Sequence, residues 1–216
     1  MPSRTVLVLD AIKHAILTGE LRPGDSLVET DLAGLLGVSK TPVREALKTL
    51  AGAGLVTMSP YKGSAVRTVD DELVRSVYDL RLLLEPEALR RAVQAGGEWT
   101  GAGQALRRAG ATVDRAERSL ANRDFHRGLY GGCGNPLLTG VLDGLRDQTA
   151  LVSAAAWRRR PTWQGTPSWQ AEAAEHEAIL AAAVAGDADT AARRLSDHIQ
   201  SFLTRNFPSL GSTDGT

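Results

Sequence analysis

Apolar residues recur at intervals of three and four positions through most of the chain, which is the period of a helix with one buried face. Residues 4–18 form the first such segment, with Val8, Ile12 and Ile16 on the predicted buried side. Later segments repeat the pattern and are bounded by glycine, proline or a capping residue. The chain is therefore predicted to be mostly α-helical, with helices over residues 4–18, 29–36, 40–50, 71–95, 104–120, 122–130, 136–157, 169–185 and 188–206. Pro86 is predicted to interrupt and bend the helix over residues 71–95.

The segment from residue 29 to residue 50 predicts two helices joined by a tight turn. The second helix has an apolar stripe on one face and cations spaced four residues apart on another. A short helix, a turn and a second helix with a cationic face are typical of a helix-turn-helix that enters the major groove of DNA. The alternative is an ordinary surface helix with solvated charges. The apolar stripe contains Val43, Ala46, Leu47 and Leu50, and the cations are Lys40, Arg44 and Lys48.

Two strand-like runs flank a turn-rich segment directly after this helix. The runs are residues 55–58 and 64–67, and residues 59–63 between them contain proline and glycine. The pattern predicts a β-hairpin, or wing, with Lys62 and Gly63 at its tip. A glycine at the tip would let the backbone approach a phosphate or the minor groove closely.

The composition permits compact cores and excludes a general polyanion-binding protein. Hydrophobic residues make up 43% of the 216 positions, which is enough for one large or two small domains. Lys and Arg number 25, as do Asp and Glu, so the formal net charge is zero. The first 69 residues carry eight basic and six acidic side chains. Affinity for DNA would therefore depend on a local cationic patch, doubled in a dimer.

The cysteine content and the hydropathy of the chain indicate the cellular compartment in which the protein is expected. A single cysteine, Cys133, excludes an intramolecular disulfide and favours a reducing cytoplasm. The apolar run at residues 6–9 is short and continues into Asp10 and Lys13, unlike a signal peptide. No segment is long and apolar enough to span a bilayer, so we expect a cytoplasmic protein without a membrane partner. Residues 209–216 are small and polar, and we predict a disordered tail there.

Three of the four histidines fall on three different helices of the predicted C-terminal bundle. Neutral imidazole is a good ligand for zinc, nickel and similar divalent metals, so His126, His176 and His198 are candidate ligands. Asn122 lies four residues before His126, and both side chains therefore point to the same side of their helix. Scattered histidines in a helical protein are usually surface or singly bonded core residues, so spacing alone leaves both possibilities open.

Several short motifs in the first third of the chain carry a resemblance to a known protein family. They are Gly19-Glu20-Leu21-Arg22-Pro23-Gly24-Asp25, Asp31-Leu32-Ala33, Gly37-Val38-Ser39-Lys40-Thr41-Pro42-Val43-Arg44-Glu45-Ala46-Leu47, and Gly54-Leu55-Val56 with Gly63. Together they resemble the winged helix-turn-helix domain of GntR-type bacterial transcription regulators. Relatives usually have Arg at the position of Lys40, and Lys lacks the fork that suits guanine, which bears on operator preference. The DNA-binding residues that the resemblance and the spacing imply are Lys40, Thr41, Arg44, Lys48, Lys62 and Gly63.

A second set of motifs lies in the rest of the chain. They are Tyr78-Asp79-Leu80-Arg81, Leu84-Glu85-Pro86, Phe125-His126, Gly134-Asn135-Pro136-Leu137-Leu138, Glu175-His176-Glu177-Ala178-Ile179-Leu180, Gly186-Asp187 and His198. Residues 70–206 resemble the all-helical FCD effector domain of the FadR/VanR-like GntR subgroup. The resemblance implies an anionic effector bound with the help of Arg81; alternatively, Arg81 forms an ion pair with Glu85 one turn further on. It also implies a divalent metal, zinc or nickel, with Asn122, His126, His176 and His198 as ligands.

Family members often have Asp where this chain has Asn122. A neutral amide leaves the metal site one negative charge short, and we expect weaker metal binding for that reason. The sequence thus differs from the family pattern at one of the four ligand positions that the resemblance implies.

The sequence as a whole predicts a winged helix-turn-helix domain over residues 1–69 and an antiparallel bundle of about six helices over residues 70–208. The predicted function is a homodimeric transcription regulator, a repressor, that binds double-stranded operator DNA and senses a small carboxylate beside a metal. Two alternatives stay open: a hydrolytic metalloenzyme that uses the three histidines, and a regulator whose bundle holds no metal. The enzyme is disfavoured because Glu175 and Glu177 should point away from His176, their neighbour on the helix.

Overall fold

The computed structural model describes residues 3–61, 63–158 and 166–211, so the predicted wing-tip residue Lys62 lies outside the described ranges. The fold is mostly helical with one small sheet, as predicted. Residues 209–211, the start of the predicted tail, belong to a short last helix, and residues 212–216 are not described. The elements are α1 (Arg4–Thr18), α2 (Glu29–Leu36), α3 (Lys40–Gly52), β1 (Val56–Ser59), β2 (Gly63–Val66), α4 (Asp71–Gln94), α5 (Thr100–Ala111), α6 (Arg115–Tyr130), α7 (Pro136–Arg158), α8 (Pro167–Val184), α9 (Ala188–Asn206) and α10 (Pro208–Gly211).

An N-terminal head is built from α1, α2, α3 and the hairpin around one apolar core. α1 begins after Ser3, whose hydroxyl accepts a hydrogen bond from the backbone N–H of Val6. α2 ends at Gly37, which has φ of 64°, a left-handed conformation that glycine adopts without strain and that turns the chain into α3. The predicted apolar stripe of α3 is fully buried against α1 and α2, with each of its residues at most 1% exposed: Val43, Ala46, Leu47 and Leu50.

The wing is an antiparallel hairpin of β1 and β2. Val56 pairs with Val66 near its base, and Ser59 pairs with Gly63 at its tip. Gly63 has φ of 74°, and no atom lies within 4 Å of the place where a Cβ would stand. The tip is therefore open to an approaching molecule and has the backbone conformation that favours glycine.

The C-terminal part packs α4 to α9 around a second apolar core. α4 begins at the cap Asp70, whose carboxylate accepts the backbone N–H of Leu73 at 2.8 Å. α7 begins at the cap Asn135, whose side-chain oxygen accepts the N–H groups of Leu137 and Leu138. α4 packs against both α9 and α7, and α6 packs against α5 and α7. None of the described helices is both long and apolar enough to cross a bilayer.

Two predicted helix boundaries in this bundle are wrong. The break predicted near Ala121 lies instead at residues 112–114, because Asp114 caps α6 by accepting the N–H of Ala116 at 2.8 Å. Ala121 is buried and continues the inner side of α6. The interruption predicted at Pro86 is absent, since α4 is continuous through that residue. A proline removes only one N–H donor, and buried side chains before and after it hold the helix in place.

The two cores meet along α7. Ala150 and Leu151 pack in the core of the head, whereas Leu145 and Val152 pack in the core of the bundle. Val69 contacts both cores at the junction between the wing and α4. We therefore propose that the domain division lies directly after Val69, as the sequence predicts, and that α7 supports the head from the bundle side.

Candidate functional site

The solvent-facing side of α3 carries the residues predicted to contact DNA. Lys40, Thr41, Arg44 and Lys48 are all exposed and lie away from the buried stripe. Gly63 is exposed at the end of the wing. The structure thus displays these residues on the surface of the head, and their contacts with DNA stay a prediction.

Arg44 forms an ion pair that was not predicted. The Arg44 Nε donates to both carboxylate oxygens of Glu29, at 2.9 and 3.1 Å, and its Nη2 donates to Glu29 Oε2 at 2.7 Å. These hydrogen bonds lower the pKa of Glu29 and keep its carboxylate ionised. By contrast, Lys48 pairs with Glu45 on the same helix, at 3.0 Å.

The three candidate metal-ligating histidines converge in the bundle. His126, His176 and His198 come from α6, α8 and α9, are each at most 4% exposed, and offer ring nitrogens that lie within 4.8 Å of one another. The Nε2 atoms of His176 and His198 are 3.2 Å apart. Three elements that are distant in sequence therefore direct imidazole nitrogens to one point.

Carboxylates fix the orientation of two of these rings. His126 Nδ1 is 3.1 Å from Glu85 Oε2, and His198 Nδ1 is 2.7 Å from Glu175 Oε2. A carboxylate on Nδ1 favours the tautomer with the proton on that nitrogen and leaves Nε2 with its lone pair free. This arrangement is the usual outer support of a metal-binding histidine.

Burial keeps the cluster in the uncharged form that binds metals. Desolvation lowers the pKa of each ring, well below its usual range for His126 and His176. The positive charge of Arg146 lowers the pKa of His126 further. The other two rings lower the pKa of His176, because protonated imidazoles would repel one another. The histidines are therefore neutral at physiological pH, as ligation of a divalent ion requires.

Two buried polar atoms in this region have no hydrogen-bond partner among the described residues. They are Oδ1 of Asn122 and Nε2 of His126, which lie one helical turn apart on α6. A buried acceptor without a partner costs about 1–3 kcal/mol, so each of these atoms has a lone pair that a bound cation could use. The donor set of three imidazoles and one amide oxygen fits a divalent ion of the zinc or nickel type.

A group of buried charges adjoins the histidines. Arg81 Nε donates to Glu85 Oε1 at 2.7 Å, and Arg146 Nη2 donates to the same oxygen. Burial alone would raise the pKa of Glu85, but Arg146 and Arg81 hold it well below its usual range. Arg81 thus forms the ion pair that was the predicted alternative to effector binding. Two guanidinium groups share one carboxylate, so the group carries surplus positive charge.

Two residues of the site escaped sequence reasoning. Arg146 had no spacing that aimed it inward, yet it is 2% exposed and bonded to Glu85. Glu175, which the sequence predicts to point away from its neighbour His176, contacts His198 on the next helix. Arg205 also donates to Glu175, at 2.5 and 2.9 Å. Although burial acts to raise the pKa of Glu175, these partners lower it to about 2, which makes it a poor general base.

A buried acid, Glu172, gives the bundle a predicted pH dependence. Glu172 is 2% exposed, and burial raises its pKa to about 7 although Arg118 opposes the shift. Because the folded-state pKa is raised, its contribution to stability is present below the unfolded-state pKa and is lost as the pH rises through 7. We expect Glu172→Gln to increase the free energy of unfolding by about 2–3 kcal/mol more at pH 8 than at pH 5.

Urea unfolding of the two proteins at both pH values measures this difference. Glu177→Gln is the matched control, because Glu177 is an exposed acid on the same helix and should change stability little at either pH. An equal effect of Glu172→Gln at pH 5 and pH 8 would contradict the raised pKa.

Two family models match the chain. Residues 5–66 match the family described as bacterial regulatory proteins, gntR family, and residues 76–201 match the FCD domain. The chain belongs to the GntR family. It is a DNA-binding transcription regulator with an FCD domain, and the alternative of a hydrolytic enzyme is therefore wrong.

Relatives span nearly the full length of this GntR regulator. One, from Paenarthrobacter nicotinovorans, is named "Probable D-xylose utilization operon transcriptional repressor"; it is 29% identical over 96% of this chain and 90% of its own. The repressor GlaR of Escherichia coli K12 is 27% identical over 90% of this chain and 93% of its own. The solved structure of E. coli McbR/YncC covers 97% of this chain and 99% of its own, with a TM-score of 0.81 and 23% identity. That likeness shows the same fold.

Proposed function

We propose that this GntR regulator is a homodimeric repressor that releases operator DNA when a small carboxylate binds beside a divalent metal in the FCD domain. The observation that carries the proposal is the meeting of the histidine cluster and the surplus cations at Glu85. One oxygen of Glu85 contacts His126, and the other accepts from Arg81 and Arg146. The proposed metal site and the proposed anion-binding group would therefore share one carboxylate inside the bundle.

DNA binding is assigned to α3 and the wing. Lys40, Thr41 and Arg44 would contact bases or nearby phosphates, Lys48 a phosphate, and the wing tip with Lys62 and Gly63 the edge of a groove. The footprint of one such head is too small for tight specific binding. Two heads related by a two-fold axis on a palindromic operator would supply the affinity, which is the reason for proposing a homodimer.

Asn122, His126, His176 and His198 would hold the metal. A divalent ion supplies concentrated positive charge and coordination positions that a carboxylate can fill. The unpartnered Asn122 Oδ1 and the free Nε2 of His126 support this assignment. Since the Asn122 amide is neutral, the metal site would have a higher net positive charge than in relatives with Asp at this position. It would therefore attract an anionic ligand more strongly but hold the metal ion less tightly.

The buried cluster that we call the chamber, formed by His126, His176, His198, Glu85, Arg81 and Arg146, also offers guanidinium groups to an anion. Arg81 and Arg146 share Glu85, and Nε of Arg146 has no partner among the described residues. A small carboxylate could take up this unused donor capacity through paired, charge-assisted hydrogen bonds. The effector class that fits the chamber is thus an organic acid.

α7 connects the chamber to the head. Arg146 faces Glu85 in the bundle, and the next residue, Asp147, pairs with Lys13 of α1. Leu151, one turn further on, belongs to the core of the head. A ligand that changes the pairing of Arg146 would act on a helix that supports the head. The regulatory effect requires that the ligand bind the two arrangements with different affinity.

Repression is proposed from the relatives. The protein from P. nicotinovorans and GlaR are both named as repressors, and both match this chain over most of its length. Release of DNA on effector binding would then switch the controlled genes on.

The proposed function can be tested by fluorescence anisotropy with the purified full chain. Labelled fragments of the DNA upstream of its own gene are compared with random duplex at moderate salt, with and without a panel of organic acids, after loading with zinc or nickel. We expect a preference for one fragment that a single acid weakens. No preference for any fragment would contradict the assignment of α3. A response that is the same after metal removal would favour a regulator with a metal-free bundle.

Arg81→Lys should blunt the effector response without weakening operator binding. Lysine keeps the positive charge beside Glu85 but loses the planar fork that binds a carboxylate with two bonds. The effector concentration for half-release of the operator should rise by about tenfold, because the variant loses one charge-assisted hydrogen bond to the effector. The loss of about 1.4 kcal/mol of binding free energy corresponds to that factor. Arg91→Lys is the matched control, because Arg91 is an exposed arginine on the same helix.

An unchanged half-release concentration in Arg81→Lys would contradict the effector role. Loss of folding would assign Arg81 to the buried ion pair with Glu85 alone, since breaking such a pair costs about 3–5 kcal/mol. The thermal unfolding midpoint, measured on the same samples, separates these two outcomes.

A further inference from the structure

We propose that Glu29 is a positioning residue for DNA recognition, which holds the Arg44 guanidinium by one edge so that its other edge is presented to a base. The inference rests on the proposed role of Arg44 in operator binding. It assigns the specificity of the head partly to an acidic residue on the helix that precedes the recognition helix.

The geometry divides the guanidinium into two edges. Glu29 binds the edge formed by Nε and Nη2, at 2.7–3.1 Å. The edge formed by Nη1 and the second proton of Nη2 is left for another acceptor, and it is the end-on pair of donors that can bind O6 and N7 of guanine. Glu29 therefore occupies Arg44 without blocking its capacity for a bidentate base contact.

The pair joins two separate helices of the head. Glu29 is the first residue of α2, and Arg44 lies in the first half of α3. Both backbones are fixed by the apolar core, so the carboxylate is a rigid partner for a long side chain. Lys48, which pairs within its own helix with Glu45, has no such anchor among the described residues. An anchored arginine loses less rotational freedom when it binds a base, because part of that freedom is already lost in the free protein.

Stability does not account for the pair. The side chains of Arg44 and Glu29 are 55% and 27% exposed, and exposed ion pairs contribute little to folding. The Glu29 carboxylate also lies in the field of Lys40 and Lys48, so it reduces the positive charge that the head offers to phosphates. Glu29 thus lowers the general affinity of the head for phosphates and orders the base-contacting side chain of Arg44. Both effects favour sequence specificity over overall affinity for DNA.

The test compares Glu29→Ala with the wild-type full chain on two duplexes, the preferred upstream fragment and a random sequence of equal length. We expect the affinity for random duplex to be unchanged or higher, because one negative charge is removed from the DNA-facing side. The affinity for the preferred fragment should fall, so that the ratio of the two affinities drops by about tenfold in a dimer with two ordered side chains. Glu29→Gln, which keeps one acceptor, should lie between the two proteins.

Glu45→Ala is the matched control for charge. It removes a carboxylate from α3 that binds Lys48 and that acts on Arg44 through its charge, without a hydrogen bond to it among the described residues. Both affinities should rise together in this variant, and their ratio should stay constant. If Glu29→Ala behaves in the same way, Glu29 is only a surface charge and the inference is wrong.

A double-mutant cycle shows whether Glu29 acts through Arg44. In an Arg44→Ala background, Glu29→Ala should cause no further fall in the ratio, because the side chain that it positions is gone. An undiminished fall would mean that Glu29 acts independently of Arg44 and would overturn the inference.

The failure of the inference can be distinguished from the failure of the proposed function. A wild-type protein with no preference for any fragment would contradict the proposed function itself, whereas a wild-type preference that is unchanged in Glu29→Ala would contradict the inference alone. Circular dichroism of each variant checks that the head is folded.

Discussion

Replacing Arg44 with alanine is expected to reduce the preference of this regulator for its operator by at least about thirtyfold. A bidentate contact between arginine and a base contributes about 1–3 kcal/mol, and a dimer makes it twice. The affinity for the preferred fragment should therefore fall at least about thirtyfold. The affinity for random duplex should fall less, because that duplex loses only the phosphate attraction of one cation per subunit. Anisotropy titrations on the preferred fragment and on random duplex measure both quantities.

Two further variants separate base recognition from charge. Lys48→Ala should weaken binding to all duplexes alike and lower the slope of affinity against salt by about one unit for each phosphate that is no longer neutralised. Arg91→Ala removes an equal charge from the exposed side of α4 and should leave DNA binding unchanged. An Arg44→Ala titration that overlays the wild type would show that α3 does not recognise bases through this residue.

The head could be predicted from the sequence because its determinants are local. The stripe of Val43, Ala46 and Leu47 follows the helical period, and Gly37 marks the turn before it. These signals lie within a few residues of the elements that they specify, so spacing was sufficient to place α2, α3 and the wing. What spacing could not give was the partner of Arg44, because Glu29 is 15 residues away and meets it only after the two helices pack.

The bundle shows where local signals fail. A run of helix-forming residues extends across 104–120, and the turn inside it depends on the single cap Asp114 after two β-branched residues. At Pro86 the local signal predicted an interruption, but packing on both sides of α4 outweighs the loss of one hydrogen bond. Tertiary contacts thus moved one boundary and removed another.

The chamber itself is almost entirely a tertiary feature. Residue type made His126, His176 and His198 candidate ligands, but residues so far apart in sequence have no spacing relation, and the resemblance to FCD domains was needed to favour one shared site. The role of Glu85 as a shared partner of His126, Arg81 and Arg146 depends on three helices that meet at one point. Sequence reasoning can name residue types suited to a site. The net charge of the chamber depends instead on which side chains share Glu85 as a partner, and that is known only from the folded structure.

Metal loading is expected to stabilise the regulator strongly. Purified protein dialysed against zinc or nickel should take up about one equivalent per chain, bound by the imidazoles of α6, α8 and α9. At a free metal concentration about a hundred times the dissociation constant, binding adds about 2.7 kcal/mol to the free energy of unfolding. For a chain of this size the unfolding midpoint should rise by about 5–10 °C. Elemental analysis and thermal unfolding, with and without a chelator, measure the two effects.

Variants of single ligands identify the site independently of any effector. His176→Ala should lose most of the uptake and of the metal-dependent rise in midpoint, whereas His14→Ala, which removes an exposed histidine from the head, should lose neither. Asn122→Asp should bind the metal more tightly than the wild type, because it adds a negative charge at the position of the unpartnered Oδ1. Uptake below about a tenth of an equivalent in the wild type would leave His126 and His198 as structural partners of Glu85 and Glu175, with His176 packed against His198. In that case the surplus charge of Arg81 and Arg146 would be the sole attraction for an acid, and effector binding would not depend on metal.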